Sequence, residues 1–503
     1  MNDNQYIVAL DEGTSSCRAV LMDHKGEIRA VAQKEFTQLF PNPGWVEHDP
    51  EEIWECQMEV FAELLDKQGL EASQIKGIGI TNQRETTVVW DRDTGKAIYN
   101  AIVWQDRRTA SICDAIKSGG HEDYIRNTTG LVVDAYFSGT KIQWILDNVD
   151  GARQKAEQGK LCFGTIDTWL IYKMTNGAKH LTDYTNASRT MLYNIKDFKW
   201  DETLLNILNV PASLLPEVQA SASDFGSFNY KGVEIPICGV AGDQQSALFG
   251  QACFEKGTAK NTYGTGCFML MNTAQDHVVS QNGLLTTLCC DANGDKAYAL
   301  EGSIFVAGAA VQWLRDGIQI IGSSEETEAM ASVASSDNQV VVVPAFTGLG
   351  APYWDMYARG AIFGLDRSTS REDIVKATLE SMAYQTKDVI DLMSQESGSA
   401  LQKLSVDGGA VANNYLMQFQ ADILQLDVER PSNIESTALG AGYLAGIHLG
   451  VWDASSIIAN KEIDKVFSPA LSLDESKSKY ALWKKAVKRS MNWIAADEGT
   501  DQT

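Results

Sequence analysis

The stretch Tyr6-Ile-Val-Ala-Leu-Asp-Glu-Gly-Thr-Ser-Ser-Cys-Arg-Ala-Val-Leu-Met22 decides the fold class of this chain. Two apolar runs, Tyr6–Leu10 and Arg18–Met22, flank a turn rich in hydroxyl groups, which predicts two short strands joined by a tight hairpin. Gly13 permits the sharp turn because it has no side chain. Backbone N–H groups at such a tip can wrap around phosphate oxygens. The hairpin therefore indicates a phosphate-binding loop, although the same pattern also suits a plain turn.

The polar side chains of this hairpin suit a nucleotide. The hydroxyl groups of Thr14, Ser15 and Ser16 add hydrogen-bond donors. Arg18 supplies a charge that matches phosphate. Asp11 stands where a carboxylate could hold Mg²⁺ through water.

A similar hairpin recurs about 250 residues later, close to half of the 503-residue length. Lys260–Tyr263 and Cys267–Met271 read as strands around the turn Gly264-Thr265-Gly266. Similar turns at this separation suggest two homologous halves, which could hold nucleotide phosphates between two facing hairpins. We expect a domain of residues 1–253 and a domain of residues 254–503.

Helical and strand patterns alternate along the chain, which predicts an α/β protein. Ile53–Leu65 has helical spacing, and Gly77–Thr81 reads as a strand that ends just before Arg84. Leu404–Ala410 combines a strand with a glycine turn ahead of a helix, where a flat ligand such as adenine or ribose could approach the backbone. The chain has no Walker motif and no dinucleotide-binding glycine motif after its first strand.

The composition excludes several functional classes. Hydrophobic residues make up 44% and charged residues 21%, as in ordinary globular proteins. The net charge of −24 disfavours nucleic acid as a partner, since a phosphate backbone attracts basic proteins. We expect no membrane insertion and a cytoplasmic protein, because no apolar run reaches 18 residues and the polar start lacks the features of a signal peptide. The nine cysteines form no C-x-x-C pair and the six histidines have no metal-ligand spacing.

Three turns and two longer stretches carry a family resemblance. The turns at Asp11–Thr14, Gly264–Gly266 and Asp407–Gly409 resemble the three nucleotide-contacting elements of the superfamily of sugar kinases, heat-shock ATPases and actin. Residues Tyr136–Asn148 and Gly360–Glu380 are similar to the two signatures of the FGGY carbohydrate kinases within that superfamily. The resemblance implies two homologous ribonuclease-H-like domains of the actin/hexokinase ATPase type, with a cleft between them.

Nearly the whole chain resembles the branch of this family that phosphorylates glycerol. The resemblance implies an ATP- and Mg²⁺-dependent phosphotransferase that forms sn-glycerol 3-phosphate and ADP in glycerol catabolism, as a homodimer or homotetramer. The stretches that carry it are Pro43–Pro50, Gly79–Thr86, Trp104-Gln105, Asp183–Arg189, Gly242–Gln245, Asn261–Cys267 and Pro344–Trp354.

The same resemblance implies the residues of the polyol site, with Asp243 as the catalytic carboxylate. Taken alone, Arg84 and Glu85 would also suit a surface ion pair, Asp243 a helix N-cap, and the aromatic residues a core. The implied glycerol contacts are Arg84, Glu85, Trp104, Tyr136, Asp243, Gln244 and Phe268.

For the nucleotide, the resemblance implies contacts from both hairpins and from two later turns. Asp11 is the implied Mg²⁺ residue, acting through water. The implied ATP contacts are Thr14, Ser15, Ser16 and Arg18 on the first hairpin, Thr265 on the second, Gly308 and Gln312 at a helix start near the phosphates, and Gly409 and Asn413 near the adenosine.

The chain departs from the family pattern in the first hairpin and in one regulatory region. Glu12 stands where Gln is usual, and Cys17 where Ser is usual. A Glu12 directed at the phosphates would weaken ATP binding or add a metal contact, whereas a Glu12 that points away from them would do neither; we expect it to point away. The segment Asp224–Ile235 lacks the arginine and the histidine through which some bacterial members are regulated, so neither control is expected.

Three other functions remain open at this point. Another FGGY kinase would act on a pentulose such as xylulose or ribulose, which the Arg84-Glu85 pair and Trp104 disfavour. An actin-like filament or chaperone ATPase would use the same hairpins without a polyol, and would give Asp243 no role. A sensor that binds glycerol without transfer would not need Asp11 or Thr265.

Overall fold

The computed structural model of the chain describes residue 1 and residues 4–336 and 338–494. Its strands are β1 Tyr6–Glu12, β2 Ser16–Met22, β3 Ile28–Glu35, β4 Glu47–His48, β5 Ile75–Asn82, β6 Val88–Asp91, β7 Ala101–Ile102, β8 Leu161–Gly164, β9 Leu181–Asp183, β10 Tyr193–Asn194, β11 Lys199–Trp200, β12 Glu217–Gln219, β13 Ser227–Tyr230, β14 Val233–Gly242, β15 Ala259–Tyr263, β16 Cys267–Ala274, β17 Leu285–Cys290, β18 Lys296–Ile304, β19 Val341–Val343, β20 Ala361–Phe363, β21 Lys403–Asp407, β22 Asp427–Pro431 and β23 Ile463–Phe467. Its α-helices are α1 Pro50–Gln68, α2 Ala110–Ser118, α3 Glu122–Thr129, α4 Ser138–Asn148, α5 Ala152–Glu157, α6 Ile166–Met174, α7 Tyr184–Ala187, α8 Glu202–Ile207, α9 Asp243–Gly250, α10 Gly308–Gln312, α11 Glu326–Val333, α12 Arg371–Ser397, α13 Asn414–Leu424, α14 Ser436–His448, α15 Ala454–Asn460 and α16 Leu473–Ser490.

The chain forms two large sheets, and the second sheet, followed from β23 to β18, has the same strand order as the first and adds β17 at its end. The first runs β13-β14-β5-β1-β2-β3 and the second β17-β18-β16-β15-β21-β22-β23. In each sheet a hairpin, β1–β2 or β15–β16, is extended on one side by two parallel strands and on the other by an antiparallel strand. The predicted fold class of two homologous α/β halves is confirmed, and both predicted hairpins are present.

Local signals set the ends of the first long helix, α1, which extends beyond the predicted Ile53–Leu65. Asp49 accepts a hydrogen bond from the backbone N–H of Glu51, and Pro50 occupies the first turn, where its missing N–H costs nothing. Gly69 ends the helix with a φ of 62°, a left-handed conformation that glycine adopts without strain.

One helix of the second half, α14, packs on the first half. It contacts β1, β5 and β14 as well as α9, and its Ala438, Ala441 and Leu444 share a core with Ile7 and Ala9 of β1. The first sheet therefore depends on a helix that follows it by some 200 residues in the chain.

Glycines make this contact unusually close. A Cβ on Gly440 would lie 1.9 Å from the backbone oxygen of Ser246, and a Cβ on Gly250 would lie 2.1 Å from that of Ser436. Helices α9 and α14 consequently touch through their backbones, with no space for even a methyl group.

The predicted boundary near Phe254 stays a prediction. The strands of the first sheet end at Gly242 and those of the second begin at Ala259, while α14 crosses from one half to the other. Among the described residues, no helix is both long and apolar enough to cross a bilayer.

We predict that Gly440→Ala destabilises the protein. The added methyl group must push α9 and α14 apart, and overpacking of this kind costs about 1–3 kcal/mol. Thermal unfolding would show a lower midpoint than wild type. The control is Gly119→Ala, an exposed position where the new Cβ would meet mainly the movable ring of His121, 3.0 Å away. Equal midpoints for both variants would contradict the close contact.

Candidate active site

The candidate site lies where three neighbouring strands of the first sheet end. Strands β1, β5 and β14 are parallel, and their register pairs Asn82 with both Glu12 and Gly242. Arg84 follows β5 by two residues, and Asp243 follows β14 directly as the first residue of α9. Because parallel strands end at the same edge of a sheet, these side chains meet there.

Asp243 presents a carboxylate that remains reachable from solvent. Its side chain is 32% exposed, and its Oδ1 lies 3.2 Å from Nε of Arg84. The same oxygen accepts a hydrogen bond from the backbone N–H of Gln244 at 2.7 Å. The N-cap interpretation of Asp243 is wrong, because Gly242 occupies that position of α9. A partly exposed carboxylate of this kind can accept a proton from a bound hydroxyl.

Arg84 and Glu85 are both buried, so the surface ion-pair interpretation is also wrong. Glu85 Oε1 lies 3.9 Å from Nε of Arg84, but it accepts a hydrogen bond at 2.6 Å from Nε of Arg189. The backbone of Glu85 has a φ of 61°, a strained conformation for a side chain of this size. Such strain concentrates at functional sites, where the surrounding structure holds it in place.

A glutamate from the second half completes this ion network. Glu301, on β18, accepts hydrogen bonds from Nη1 and Nη2 of Arg84 at 2.6 and 3.0 Å, and from Nη2 of Arg189 at 3.1 Å. Burial alone would raise the pKa of Glu301, but Arg189 and Arg84 lower it to about 2. Glu301 is therefore ionised at neutral pH although it is fully buried.

Three aromatic rings form a wall beside these charges. Trp104, Tyr136 and Phe268 line a cavity of about 170 Å³. The ring centroid of Trp104 lies 5.6 Å from that of Tyr136 and 6.4 Å from that of Phe268. Nη2 of Arg84 reaches the Tyr136 hydroxyl at 3.5 Å. Apolar walls with a few placed polar groups suit a small polyol.

Gln244 links the carboxylate to the second half. Its Nε2 donates to Oδ2 of Asp243 at 3.3 Å, and its Oε1 accepts from Nζ of Lys260. Lys260 also donates to Oγ1 of Thr262 at 2.7 Å and to the backbone oxygen of Phe268 at 3.3 Å. Burial lowers the pKa of Lys260.

A second cavity, of about 490 Å³, lies within the second half. The turn of the second hairpin borders it and is held by the start of α10, since Gly308 N–H donates to Gly264 at 3.0 Å. Its lining includes every second-half residue predicted to contact ATP, namely Thr265, Gly308, Gln312, Gly409 and Asn413.

The first hairpin connects the aromatic wall to the second half. Oγ1 of Thr14 accepts a hydrogen bond from Nε1 of Trp104 at 3.0 Å. Arg18 donates to Glu435, directly before α14, at 2.8 Å, and lies 3.7 Å from Asp11. Thr14 therefore lies at the aromatic wall, while Arg18 forms an ion pair with the second half.

The other polar residues of this hairpin differ in exposure. Ser15 is exposed at the tip, whereas Ser16 is buried and accepts a hydrogen bond from Gln33. Burial raises the pKa of Asp11 to about 7, and the nearby carboxylate of Asp243 contributes in the same direction.

Comparison with known proteins decides the family. Residues 6–250 match the N-terminal domain, and residues 259–449 the C-terminal domain, of the FGGY family of carbohydrate kinases. The chain belongs to the FGGY family. It is 60% identical to the glycerol kinase of Alkaliphilus metalliredigens (strain QYMF), over 98% of this chain and 100% of that protein.

Solved structures agree with this membership. The crystal structure of Plasmodium falciparum glycerol kinase with ADP superimposes with a TM-score of 0.91 at 38% identity, over 97% of this FGGY chain and 98% of that chain. A ligand-bound xylulose kinase from Lactobacillus acidophilus gives a TM-score of 0.87 at 22% identity, over 98% and 99% of the two chains, and shows the shared fold.

Sequence reasoning missed three charged residues of this FGGY site. Arg189 ends one of the stretches that carried the resemblance, but it received no role of its own. Lys260 and Glu301 lie inside strands whose other residues are almost all buried. A charge within such a strand is a signal that could have singled out both residues.

Glu12, the unusual residue of the first hairpin, faces the protein interior. It is fully buried, and both of its carboxyl oxygens accept from Nε2 of Gln83, at 3.1 and 3.3 Å. Burial raises its pKa well above the usual value. A neutral Glu12 has nearly the shape of the glutamine that is usual there. Of the two alternatives for Glu12, the structure favours the inward-facing one.

We predict that Glu12→Gln becomes more stable relative to wild type as the pH rises. The unfolded chain ionises Glu12 near pH 4.5, whereas the folded protein keeps it neutral to a higher pH. Between these values wild type loses about 1.4 kcal/mol per pH unit that the variant does not lose. Thermal melts of both proteins at pH 4, 5.5 and 7 test this. Parallel pH profiles would mean that Glu12 is ionised in the folded protein.

Proposed function

We propose that this FGGY kinase transfers the γ-phosphoryl group of ATP to a terminal hydroxyl of glycerol, giving sn-glycerol 3-phosphate and ADP in glycerol catabolism. The observation that carries the proposal is the exposed carboxylate of Asp243, 3.2 Å from buried Arg84. Tyr136, which Arg84 reaches at 3.5 Å, lines an aromatic cavity of about 170 Å³. The glycerol kinases that match the full length of the chain support glycerol as the acceptor.

The polyol would lie between the aromatic wall and the ion network. Trp104 and Phe268 would pack on its carbon atoms. Arg84 and Tyr136 would donate to hydroxyl oxygens, with glycerol replacing their long 3.5 Å contact. Glu85 lies beside Arg84 and Gln244 beside Asp243, and both would accept hydrogen bonds from hydroxyl groups of the polyol.

Asp243 would act as the base. A terminal hydroxyl that hydrogen-bonds to its carboxylate would attack the γ-phosphorus atom in line with the leaving ADP oxygen. The hydroxyl proton passes to Asp243 as the new O–P bond forms. The buried floor of the cleft would keep out water, which is the competing acceptor.

ATP would span the two hairpins. The adenosine would occupy the cavity of the second half, where Gly409 and Asn413 line the wall. The phosphates would reach Thr265, Gly308 and Gln312 and then the first hairpin. There Thr14, Ser15 and Ser16 offer donors, and Arg18 would exchange Glu435 for phosphate oxygens.

Asp11 fits a Mg²⁺ ion that is held through water. Mg²⁺ in kinase sites usually takes one or two carboxylates and completes its shell with water and substrate phosphates. Asp11 offers one such carboxylate near Asp243, and the described residues contain no group of three or more metal-ligating side chains. When bound, Mg²⁺ neutralises charge on the phosphate oxygens.

The homodimer or homotetramer and the cytoplasmic location stay predictions.

We predict that Asp243→Asn lowers kcat by about 10²–10⁴-fold, the usual loss on removing a general base. ADP release from Mg-ATP and glycerol would be followed with purified protein, and isotope-labelled glycerol would report phosphorylation directly. The matched control is Asp147→Asn, which removes an exposed aspartate that pairs with Arg153. This variant should keep wild-type turnover.

Two results would overturn the proposal. ADP release that is independent of glycerol would favour an ATPase of the actin or chaperone type. Turnover with xylulose or ribulose in place of glycerol would favour a pentulose kinase.

A further inference from the structure

The guanidinium of Arg84 is held by a group that the polyol site described above does not include. Nη1 and Nη2 donate to the two carboxyl oxygens of Glu301 at 2.6 and 3.0 Å, a bidentate pair. Nη1 also reaches Gln245 at 3.2 Å. Glu301 belongs to β18 of the second half, whereas Arg84 belongs to the first.

This pairing decides which donors of Arg84 face the substrate. Its Nε lies 3.2 Å from Asp243, and its Nη2 makes only the long 3.5 Å contact to Tyr136. Glu301 takes one hydrogen bond from each of Nη1 and Nη2 and leaves Nε outside the bidentate pair. The donors that point to the base and to the tyrosine are therefore those that a hydroxyl could use.

Glu301 orients a second arginine in the same way. Its Oε1 accepts from Nη2 of Arg189 at 3.1 Å, and Nε of Arg189 donates to Glu85 at 2.6 Å. One carboxylate thus fixes Arg84 directly and Glu85 through Arg189. These are the two residues proposed to bind polyol hydroxyls.

The electrostatic balance gives Glu301 a further reason to be ionised. Arg84, Arg189, Glu85 and Glu301 are all at most 2% exposed. Removing the carboxylate of Glu301 would leave two buried guanidinium groups, those of Arg84 and Arg189, without the partner that they share. Removing one partner of a buried ion pair is strongly destabilising, because it leaves an uncompensated buried charge.

We propose that Glu301 is a positioning residue that sets the affinity for the polyol, by holding Arg84 and Arg189 in the orientation that the hydroxyl groups require. The inference rests on the proposed function. Glu301 also lines the aromatic cavity, which places it close to the bound substrate while both of its oxygens are used by arginines.

The test compares Glu301→Gln and Glu301→Asp with wild type. We expect Glu301→Gln to raise the KM and the calorimetric Kd for glycerol about 100-fold, the scale of loss from a small misplacement in a site. The KM for ATP should stay within about 3-fold of wild type, because the nucleotide cavity lies apart from Glu301. Glu301→Asp keeps the charge and should recover part of the glycerol affinity.

Glu47→Gln serves as a matched control. Glu47 is a buried glutamate that pairs with Arg108 at 2.7 Å, outside the polyol site. Its loss should lower the unfolding midpoint without changing the KM for glycerol. If the role of Glu301 were purely structural, Glu301→Gln would behave like Glu47→Gln, with a lower unfolding midpoint and an unchanged KM for glycerol.

The outcomes separate the inference from the proposed function. Wild type that neither binds nor phosphorylates glycerol would overturn the proposed function. Active wild type with an unchanged glycerol Kd in Glu301→Gln, or an equal rise in both KM values, would overturn the role of Glu301. If Glu301→Gln does not fold, Glu301→Asp decides: a raised glycerol KM at unchanged ATP KM supports the role, and wild-type values overturn it.

Discussion

The backbone contact between helices α9 and α14 is the constraint on which the rest of the structure depends. Gly250 and Gly440 let the two helices approach until no methyl group would fit between them. Helix α9 begins with Asp243, so this contact fixes the catalytic carboxylate that we propose. Helix α14 begins directly after Glu435, which pairs with Arg18 of the first hairpin. The contact between α9 and α14 thus fixes the position of one half against the other, and with it the positions of Asp243 and Glu435.

Several charged side chains are buried in the cleft, and they are stable there because they pair with one another. Arg84 and Arg189 are buried against Glu85 and Glu301, and each arginine uses several donors within the network. Desolvation of a lone charge would cost several kcal/mol, so the groups hold one another in fixed positions. A prearranged network of this kind needs little reorganisation when a polar substrate enters. Enzymes use such fixed groups to orient their substrates.

The first hairpin shows how a buried position can accommodate a departure from a family pattern. Glu12 carries a group that is charged in water, but here it is fully buried, and both of its oxygens accept from the amide of Gln83. Burial raises the pKa of this carboxyl well above its usual value, which favours the neutral form that resembles an amide. Position in the fold, and not residue type, decides whether this side chain acts as an anion.

The sequence by itself determined the two hairpins, their repeat, the α/β class and the family, because these rest on local turn chemistry and on long matching stretches. The sequence also identified Arg84, Glu85 and Asp243, although it did not predict that Arg84 and Glu85 are buried or which residues they pair with. The pairing of Glu301 and Arg189 with the other site residues was decided by the tertiary structure alone. They lie 217 and 105 residues from Arg84 in the chain, and no local pattern records which buried charges will meet. Such ion pairs arise from strand register and from the packing of one half on the other, and only the folded chain fixes these.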